Sequence, residues 1–162
     1  MPRFGLYPTL RLGVSYTEKA IVFSVGYFPQ NGEDLFPYAS SPVLTFNQDV
    51  TPNVGNITLY TAGGSVVETF NVATGVGSEG GLITFSGNTV TINPNADLVV
   101  GNEYYRIVPS NVIQGVNGNF FEGVIDQTGW RFTASDLYLM TETGDYLLLE
   151  NGDKIYMENF NG

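Results

Sequence analysis

The fold is decided by residues Gly87–Thr133, which read GNTVTINPNADLVVGNEYYRIVPSNVIQGVNGNFFEGVIDQTGWRFT. Three segments within them are rich in β-branched and aromatic residues and are separated by Gly- and Asn-rich turns, a pattern typical of consecutive strands. These segments are Thr89–Pro94, Tyr104–Val108 and Gly129–Thr133, with a corner at Leu98–Gly101. The stretch therefore predicts the second half of a β-sandwich.

The residues before this stretch continue the same pattern. Strands are predicted at Ser41–Phe46, Asn56–Tyr60, Ser65–Asn71 and Leu82–Phe85. Turn signals recur every eight to twelve residues or so, as they do in β-sandwiches. In the composition, 43% of the 162 residues are hydrophobic and 20 are Gly, while runs of helix-forming residues are scarce. We therefore expect an all-β fold with a hydrophobic core.

Two segments are predicted to be connections rather than strands. Gln30–Asp34 is polar and is interpreted as a turn, and Ala73–Gly81 contains four glycines and is interpreted as a mobile loop. The corner carries the pattern L-x-x-G-x-x-Y, which ends at Tyr104. In Greek-key sandwiches such a tyrosine bonds a nearby backbone group and fixes the crossover between sheets. If Tyr104 is the corner residue, Arg106 lies on the same face of the strand and would be in the core, where an arginine is unfavourable. The alternatives are a bulge in the strand, or Tyr105 as the corner residue.

Charge and composition exclude several classes of function. The chain has 6 basic and 16 acidic residues, a net charge of −10, which disfavours nucleic-acid binding. It has no Cys and no His, so disulfide scaffolds, thiolate metal sites and Cys or His nucleophiles are excluded. No apolar run is long enough for a membrane-spanning helix, and no signal-peptide pattern is seen, so synthesis in the cytoplasm is expected.

The expected organisation has three parts: an N-terminal arm or hairpin at residues 1–25, a sandwich at 26–135, and C-terminal strand-turn repeats at 136–162. Residues 1–25 carry three basic residues against one acidic residue, a net charge of +2, and contain two alternating segments, Leu10–Val14 and Ala20–Val25. They predict either a hairpin packed on the domain or an arm that adds strands to a neighbouring subunit.

The C-terminal residues 136–162 repeat an apolar strand, acidic residues and a Gly-containing turn every eight or nine residues: LYLMTETGD, YLLLENGD and KIYMENFNG. Units of this size bury no core alone and need a partner. A meander over one face of the sandwich and an intermolecular or trimer-forming element are both open. Loose Ca²⁺ binding is conceivable, although the Asp- and Gly-containing loop pattern of calcium sites is missing, so no metal site is predicted.

No catalytic or cofactor-binding residue is predicted. The carboxylate clusters are Glu33–Asp34 and the series Glu142, Asp145, Glu150 and Asp153, all in expected turns. A Ser nucleophile would need a Lys base, and Lys19 and Lys154 stand in no recognisable context. Among the aromatic residues, Trp130, Phe132, Phe46 and Phe85 are expected in the core. Packing in the core or between subunits is also the favoured role of Phe120, Phe121 and Tyr138. The alternative is that they lie in exposed loops or edges, where aromatic rings can bind sugars.

Residues 27–134 resemble the bacterial Ig-like domain of the S-layer and surface-protein type, which is also found in phage structural proteins. The residues that carry the resemblance are Pro29, Leu44–Phe46, Asp49–Val50, Gly55–Ile57, Val90–Pro94, Leu98, Gly101, Tyr104–Tyr105, Asn117–Phe120, Gly123 and Trp130–Thr133. The resemblance implies a seven-strand Ig-like β-sandwich used for adhesion, spacing or decoration, with no catalytic residues. Arg131 departs from the small polar residue that is frequent there. The LLLENGD segment is similar to the ends of phage structural proteins.

These observations lead to a first hypothesis about function: a non-enzymatic phage virion structural protein that decorates the capsid or head surface. Its terminal segments would dock onto the major capsid protein, other virion proteins or its own copies as a homo-oligomer. The Ig-like domain would project from the surface of the virion. A tail or fibre component, and an adhesion module that binds host surface glycans through residues such as Phe121, are the alternatives.

Overall fold

Twelve β-strands and no helix make up residues 21–136, the part of the chain that the computed structural model describes. The strands are β1 (Ser24–Phe28), β2 (Glu33–Pro37), β3 (Val43–Phe46), β4 (Val50–Pro52), β5 (Asn56–Thr61), β6 (Val66–Asn71), β7 (Val76–Gly77), β8 (Leu82–Ser86), β9 (Thr89–Asn93), β10 (Glu103–Ile107), β11 (Ile113–Gly115) and β12 (Arg131–Ser135). The all-β class predicted from the sequence is confirmed.

Ten of the strands form one sheet that curls on itself, in the order β1-β3-β9-β8-β7-β6-β5-β10-β12-β2. One layer contains β1, β3, β9 and β8, and the other contains β5, β10, β12 and β2. Ring contacts join the layers, with centroids 5.3 Å apart for Tyr27 and Trp130 and 5.5 Å apart for Phe28 and Phe36. The remaining strands, β4 and β11, pair as a small separate sheet. The result is the expected β-sandwich.

Alternation along each strand decides which face enters the core. In β9, Val90 and Ile92 are fully buried, whereas Thr89 and Thr91 between them remain half-exposed. Because successive side chains of a strand point to opposite faces, this pattern places one apolar row inside and one hydroxyl row outside. The same alternation holds in β3, where Leu44 is buried and Thr45 is half-exposed.

The chain crosses from one layer of the sandwich to the other between its first two strands, which form the two ends of the ten-stranded sheet. Strand β1 pairs antiparallel with β3, and after a cis peptide bond at Phe28–Pro29 strand β2 pairs in parallel with β12. The first and last parts of the described chain are therefore neighbours in space. The predicted turn at Gln30–Asp34 is too long by two residues, because Glu33 and Asp34 belong to β2. Glu33 is paired with Phe132 of β12.

The loop predicted at Ala73–Gly81 also contains a strand, since β7 (Val76–Gly77) pairs with both β6 and β8. At the N-terminus, β1 runs across the expected boundary between residues 25 and 26, and Val22 is buried. Residues 21–25 are thus built into the sandwich. The rest of the predicted arm, residues 1–20, and the predicted repeats at 137–162 lie outside the described residues.

Candidate interaction surface

The corner before β10 is fixed by Tyr104. Its side chain is 3% exposed, and its hydroxyl oxygen accepts a hydrogen bond from the backbone N–H of Val99 at 2.9 Å. Leu98 is buried beneath the corner, and Gly101 has a φ of 82°, a conformation that a side chain would disfavour. Of the two tyrosines, Tyr104 is therefore the corner residue, and Tyr105 points to the opposite face.

Arg106 lies in the core without a bulge in β10, whose register with β5 is regular. Its guanidinium carbon is 4.3 Å from the ring centroid of Trp130 and 4.4 Å from that of Phe132. None of its three side-chain nitrogens has a hydrogen-bond partner within residues 21–136, and burial lowers its pKa well below the usual arginine value. Strand alternation therefore does place Arg106 in the core, and its guanidinium group is accommodated there by stacking between two rings.

The outward face of the β5–β10–β12 layer is tied together by polar and aromatic contacts. Tyr105 stacks on Tyr60 with ring centroids 5.0 Å apart and an angle of 8° between the planes. Arg131 donates from Nε to Glu103 Oε1 at 2.6 Å, and this bond raises the pKa of Arg131. Because Tyr105 is only 5% exposed, its ring offers no open face for a sugar, and its stacking covers one face of Tyr60.

The predicted core aromatics are largely confirmed. Trp130, Phe132 and Phe46 are at most 1% exposed, and Phe85 packs against the core while partly buried. Phe121, the residue suggested as an exposed sugar-binding aromatic, is only 6% exposed, so that interpretation is wrong for this side chain.

Phe121 is buried because its ring packs against Phe46, with centroids 5.2 Å apart, and because it forms a bridge to Val22. Its neighbour Phe120 is 39% exposed. Tyr138 lies outside the described residues.

The carboxylates considered as catalytic candidates have local structural partners. Glu33 accepts a hydrogen bond from the backbone N–H of Gln30 at 2.8 Å. Asp34 accepts one from the Thr133 hydroxyl at 3.3 Å. Both carboxylates lie on the edge strand β2 rather than in a cleft. The second carboxylate series and both lysines fall outside residues 21–136.

Glu68 is a buried carboxylate that the sequence pattern did not single out. It is 2% exposed, and its two oxygens accept backbone hydrogen bonds from Gly81 at 2.7 Å, Asn95 at 2.9 Å and Glu79 at 3.2 Å. It therefore joins the loop before β8 to the segment after β9. A shallow cavity of about 230 Å³ adjoins it, lined partly by Asp97 and the corner residues.

The residues that lead into β1, together with Val25 of β1 itself, present an unpartnered apolar row at the point where the N-terminal segment joins the sandwich. Ile21, Phe23 and Val25 alternate along the chain and are 67%, 51% and 56% exposed. Within the described sheet, β1 pairs along one edge only, with β3. Exposed edges accept additional strands unless charges or bulges protect them; β1 carries no charge, but its register with β3 shifts between Ser24 and Gly26, so regular pairing on its free edge is expected from Gly26 onward. We name Ile21, Phe23 and Val25 the β1 apolar row.

Cations are nearly absent from the described surface. Residues 21–136 contain two basic residues, of which Arg106 is buried and Arg131 is paired with Glu103. The exposed charges of this part of the chain are therefore predominantly carboxylates. In the same residues, no three potential metal ligands come together, and no helix is present that could cross a membrane.

Comparisons with known proteins complete the description. A search of curated proteins returned no match. Among solved structures, the chain is similar to CopC from Methylosinus trichosporium OB3b, with 15% sequence identity and a TM-score of 0.45 over 70% of this chain and 93% of that chain. The family model described as bacterial Ig-like domain matches residues 18–134. With this match over most of its length and the sandwich described above, the chain belongs to the bacterial Ig-like domain family.

Proposed function

We propose that this protein is a non-enzymatic structural component of a virion that decorates the capsid or head surface. An Ig-like domain fits a protein that acts at a surface or in adhesion. The observation that carries the proposal is the β1 apolar row, which lies where the predicted docking arm enters the sandwich. The similarity of the C-terminal segment to the ends of phage structural proteins supports the same assignment.

In this proposal, docking depends on the burial of apolar surface and on strand pairing, and it involves no chemical reaction. Each side chain of the β1 apolar row exposes at least half of its surface, and covering one of them contributes about 1 kcal/mol. The unpaired edge of β1 can add backbone hydrogen bonds to a strand of the capsid lattice. Edge pairing and apolar burial together attach the domain at its N-terminal end and leave the rest of the sandwich to project.

A truncation tests this attachment. Deletion of residues 1–20 removes the segment before the sandwich but keeps Val22, which is buried, and all of β1. The truncated domain should fold, as checked by its thermal transition. It should be incorporated several-fold less into purified particles assembled in its presence, because the predicted arm is missing while the β1 apolar row remains. Incorporation equal to that of the full chain would refute a docking role for residues 1–20.

A pair of point variants tests the apolar row itself. Phe23→Ser removes one member of the β1 apolar row, and Val66→Ser removes a similarly exposed apolar side chain, 58% exposed, from β6. We expect Phe23→Ser to reduce incorporation several-fold and Val66→Ser to leave it unchanged. Equal effects of the two variants would show that general surface hydrophobicity, rather than this edge, determines docking. An image of the particle would distinguish head from tail attachment.

The alternative function, adhesion to host surface glycans, now depends on Phe120 rather than Phe121. Phe120 is 39% exposed, and an exposed ring can stack on a sugar. Saturable glycan binding that is lost in Phe120→Ala and retained in the exposed-valine variant Val116→Ala would favour adhesion. A glycan array without hits would argue against it.

A further inference from the structure

Glu68 is a buried carboxylate without a cation beside it. It is 2% exposed, and its two oxygens accept the three backbone hydrogen bonds described above. Both basic residues of the described chain are used elsewhere, since Arg106 stacks between rings and Arg131 pairs with Glu103. Buried charges in proteins are normally paired with an opposite charge. Glu68 therefore marks a place where a cation from outside residues 21–136 would be stabilised.

The cavity beside Glu68 has the size and the walls that suit one long side chain. Its volume is about 230 Å³, which is below the range of ~300–1,000 Å³ for sites that take drug-sized ligands. Its wall is mainly apolar and includes Val67, Pro94 and Leu98. Lysine and arginine side chains lay their aliphatic stems along apolar surface of this kind while the charged head reaches a polar group.

Two further carboxylates line the cavity, those of Glu79 and Asp97. Both residues are exposed, and neither forms an ion pair within residues 21–136. No basic residue lines the cavity, so its field attracts cations and repels anions. The carboxylates do not make a compact metal site, because no three potential ligands come together in the described part of the chain. A cation on a flexible stem suits this arrangement better than a metal ion.

We propose that this cavity, which we name the cation cavity, binds a lysine or arginine side chain of a partner protein. The stem lies on the apolar wall, and the cationic head is stabilised by Glu68, Glu79 and Asp97. Charge complementarity carries the choice of partner, because a positively charged protein is also steered toward an acidic domain over a long range. The described surface of a second copy offers no such group, since its Arg106 is buried and its Arg131 is paired.

The cation cavity and the β1 apolar row lie toward opposite ends of β3. Pro94, in the cavity wall, follows Asn93, which accepts a hydrogen bond from the hydroxyl of Ser41 before β3. Ile21, in the β1 apolar row, accepts a hydrogen bond from the side chain of Asn47 after β3. A partner could therefore bind at the cavity while the β1 apolar row is covered. This inference does not depend on the proposed virion function.

An NMR titration of the ¹⁵N-labelled full chain tests the proposal. The probes are the N-acetyl methylamides of lysine and arginine, and the control probe is the same derivative of norleucine, which has the stem without the charge. We expect a dissociation constant on the order of 1 mM for the two cationic probes. The shifted signals should include the amides of Gly81 and Asn95, which donate to Glu68. Raising NaCl from about 50 mM to about 500 mM should weaken binding several-fold, because salt screens the carboxylates.

Three variants with the same change in charge locate the binding. Asp97→Asn and Glu79→Gln each remove one carboxylate from the cation cavity, whereas Glu122→Gln removes an exposed carboxylate outside it. All three side chains are exposed, so the variants should fold, as their NMR spectra would verify. We expect each cavity variant to bind the cationic probes at least about threefold more weakly than the wild type, and Glu122→Gln to bind them equally well.

Several outcomes would overturn the proposal. These are equal affinity of the cavity variants and Glu122→Gln, equal binding of the norleucine probe, and unsaturated shifts spread over all exposed carboxylates. Binding of putrescine, a free diamine, at least about tenfold tighter than both cationic probes would assign the cavity to a small amine instead of a protein side chain. None of these outcomes would affect docking through the β1 apolar row, because no residue of that row lines the cavity.

Discussion

Replacement of Arg106 by methionine should stabilise the protein. The guanidinium group is fully buried between two rings, and its three nitrogens have no acceptor within residues 21–136. Methionine has a similar length and a flexible thioether that packs well against aromatic rings. The variant therefore retains most of the packing while it removes a buried charge whose donors are unsatisfied.

The magnitude follows from opposing contributions. Two desolvated contacts between a cation and a ring, at 4.3 and 4.4 Å, stabilise the folded state by about 2 kcal/mol each. Desolvation of the ion, which includes the lost hydrogen bonds of its three unsatisfied nitrogens, costs several kcal/mol. The costs exceed the gain, so Arg106→Met should raise the free energy of unfolding by about 1–3 kcal/mol. For a domain of this size, the melting temperature should rise by about 3–10 °C.

Thermal and urea unfolding of the wild type, Arg106→Met and Arg106→Ala measure this effect. Arg106→Ala also removes the charge but leaves a cavity beside Trp130, so it should be about 2–5 kcal/mol less stable than Arg106→Met. The reasoning would be refuted if Arg106→Met lost about 3–5 kcal/mol, the loss that follows removal of one member of a buried ion pair. Such a loss would mean that the guanidinium has an anionic partner.

Three further substitutions have defined outcomes. Tyr104→Phe removes the acceptor of the Val99 N–H and should lower the free energy of unfolding by about 1–2 kcal/mol in urea; an unchanged midpoint would contradict the corner assignment. Glu68→Gln places an amide NH₂ against backbone donors and should cost about 2–4 kcal/mol, with faster hydrogen exchange in the loops that it joins. The pKa of Asp126 lies below the ordinary value of 3.8 because the backbone N–H and hydroxyl of Thr128 donate to it. Its contribution to stability is therefore present above pH 3.8 and lost as the pH falls through the lowered pKa, and Thr128→Ala should raise that pKa in an NMR titration.

Strands whose sequence alternates between buried and exposed positions could be predicted to within about two residues. Asn56–Tyr60 and Thr89–Pro94 are examples, because burial of one face imposes a period of two that is visible in the chain itself. Strand β2 could not be found in this way. Its sequence EDLFP begins with two acids at a sheet edge, and the parallel partner that makes it a strand lies about a hundred residues later.

The burial of individual side chains was harder to predict from the sequence than the strands were. The pattern singled out Tyr104 and its conflict with Arg106, but the rings that resolve this conflict, Trp130 and Phe132, belong to another strand. Phe121 is buried for a similar reason, since its partner Phe46 is 75 positions away in the chain. Contacts between distant segments, which determine such burial, leave no local periodicity.

The parallel pairing of β2 with β12 has a consequence for mechanical load. Tension that enters at residue 21 and leaves at residue 136 first meets β1, which must separate from β3 before the load reaches β2. It then pulls β2 and β12 in opposite directions along their length, because the pair is parallel and the chain enters one strand and leaves the other at opposite ends. All hydrogen bonds of that pair would resist together in shear rather than open one at a time. The force needed to extend the domain should therefore be higher than the free energy of the β2–β12 pair alone suggests. Separation of β1 from β3 should be an earlier, separate event.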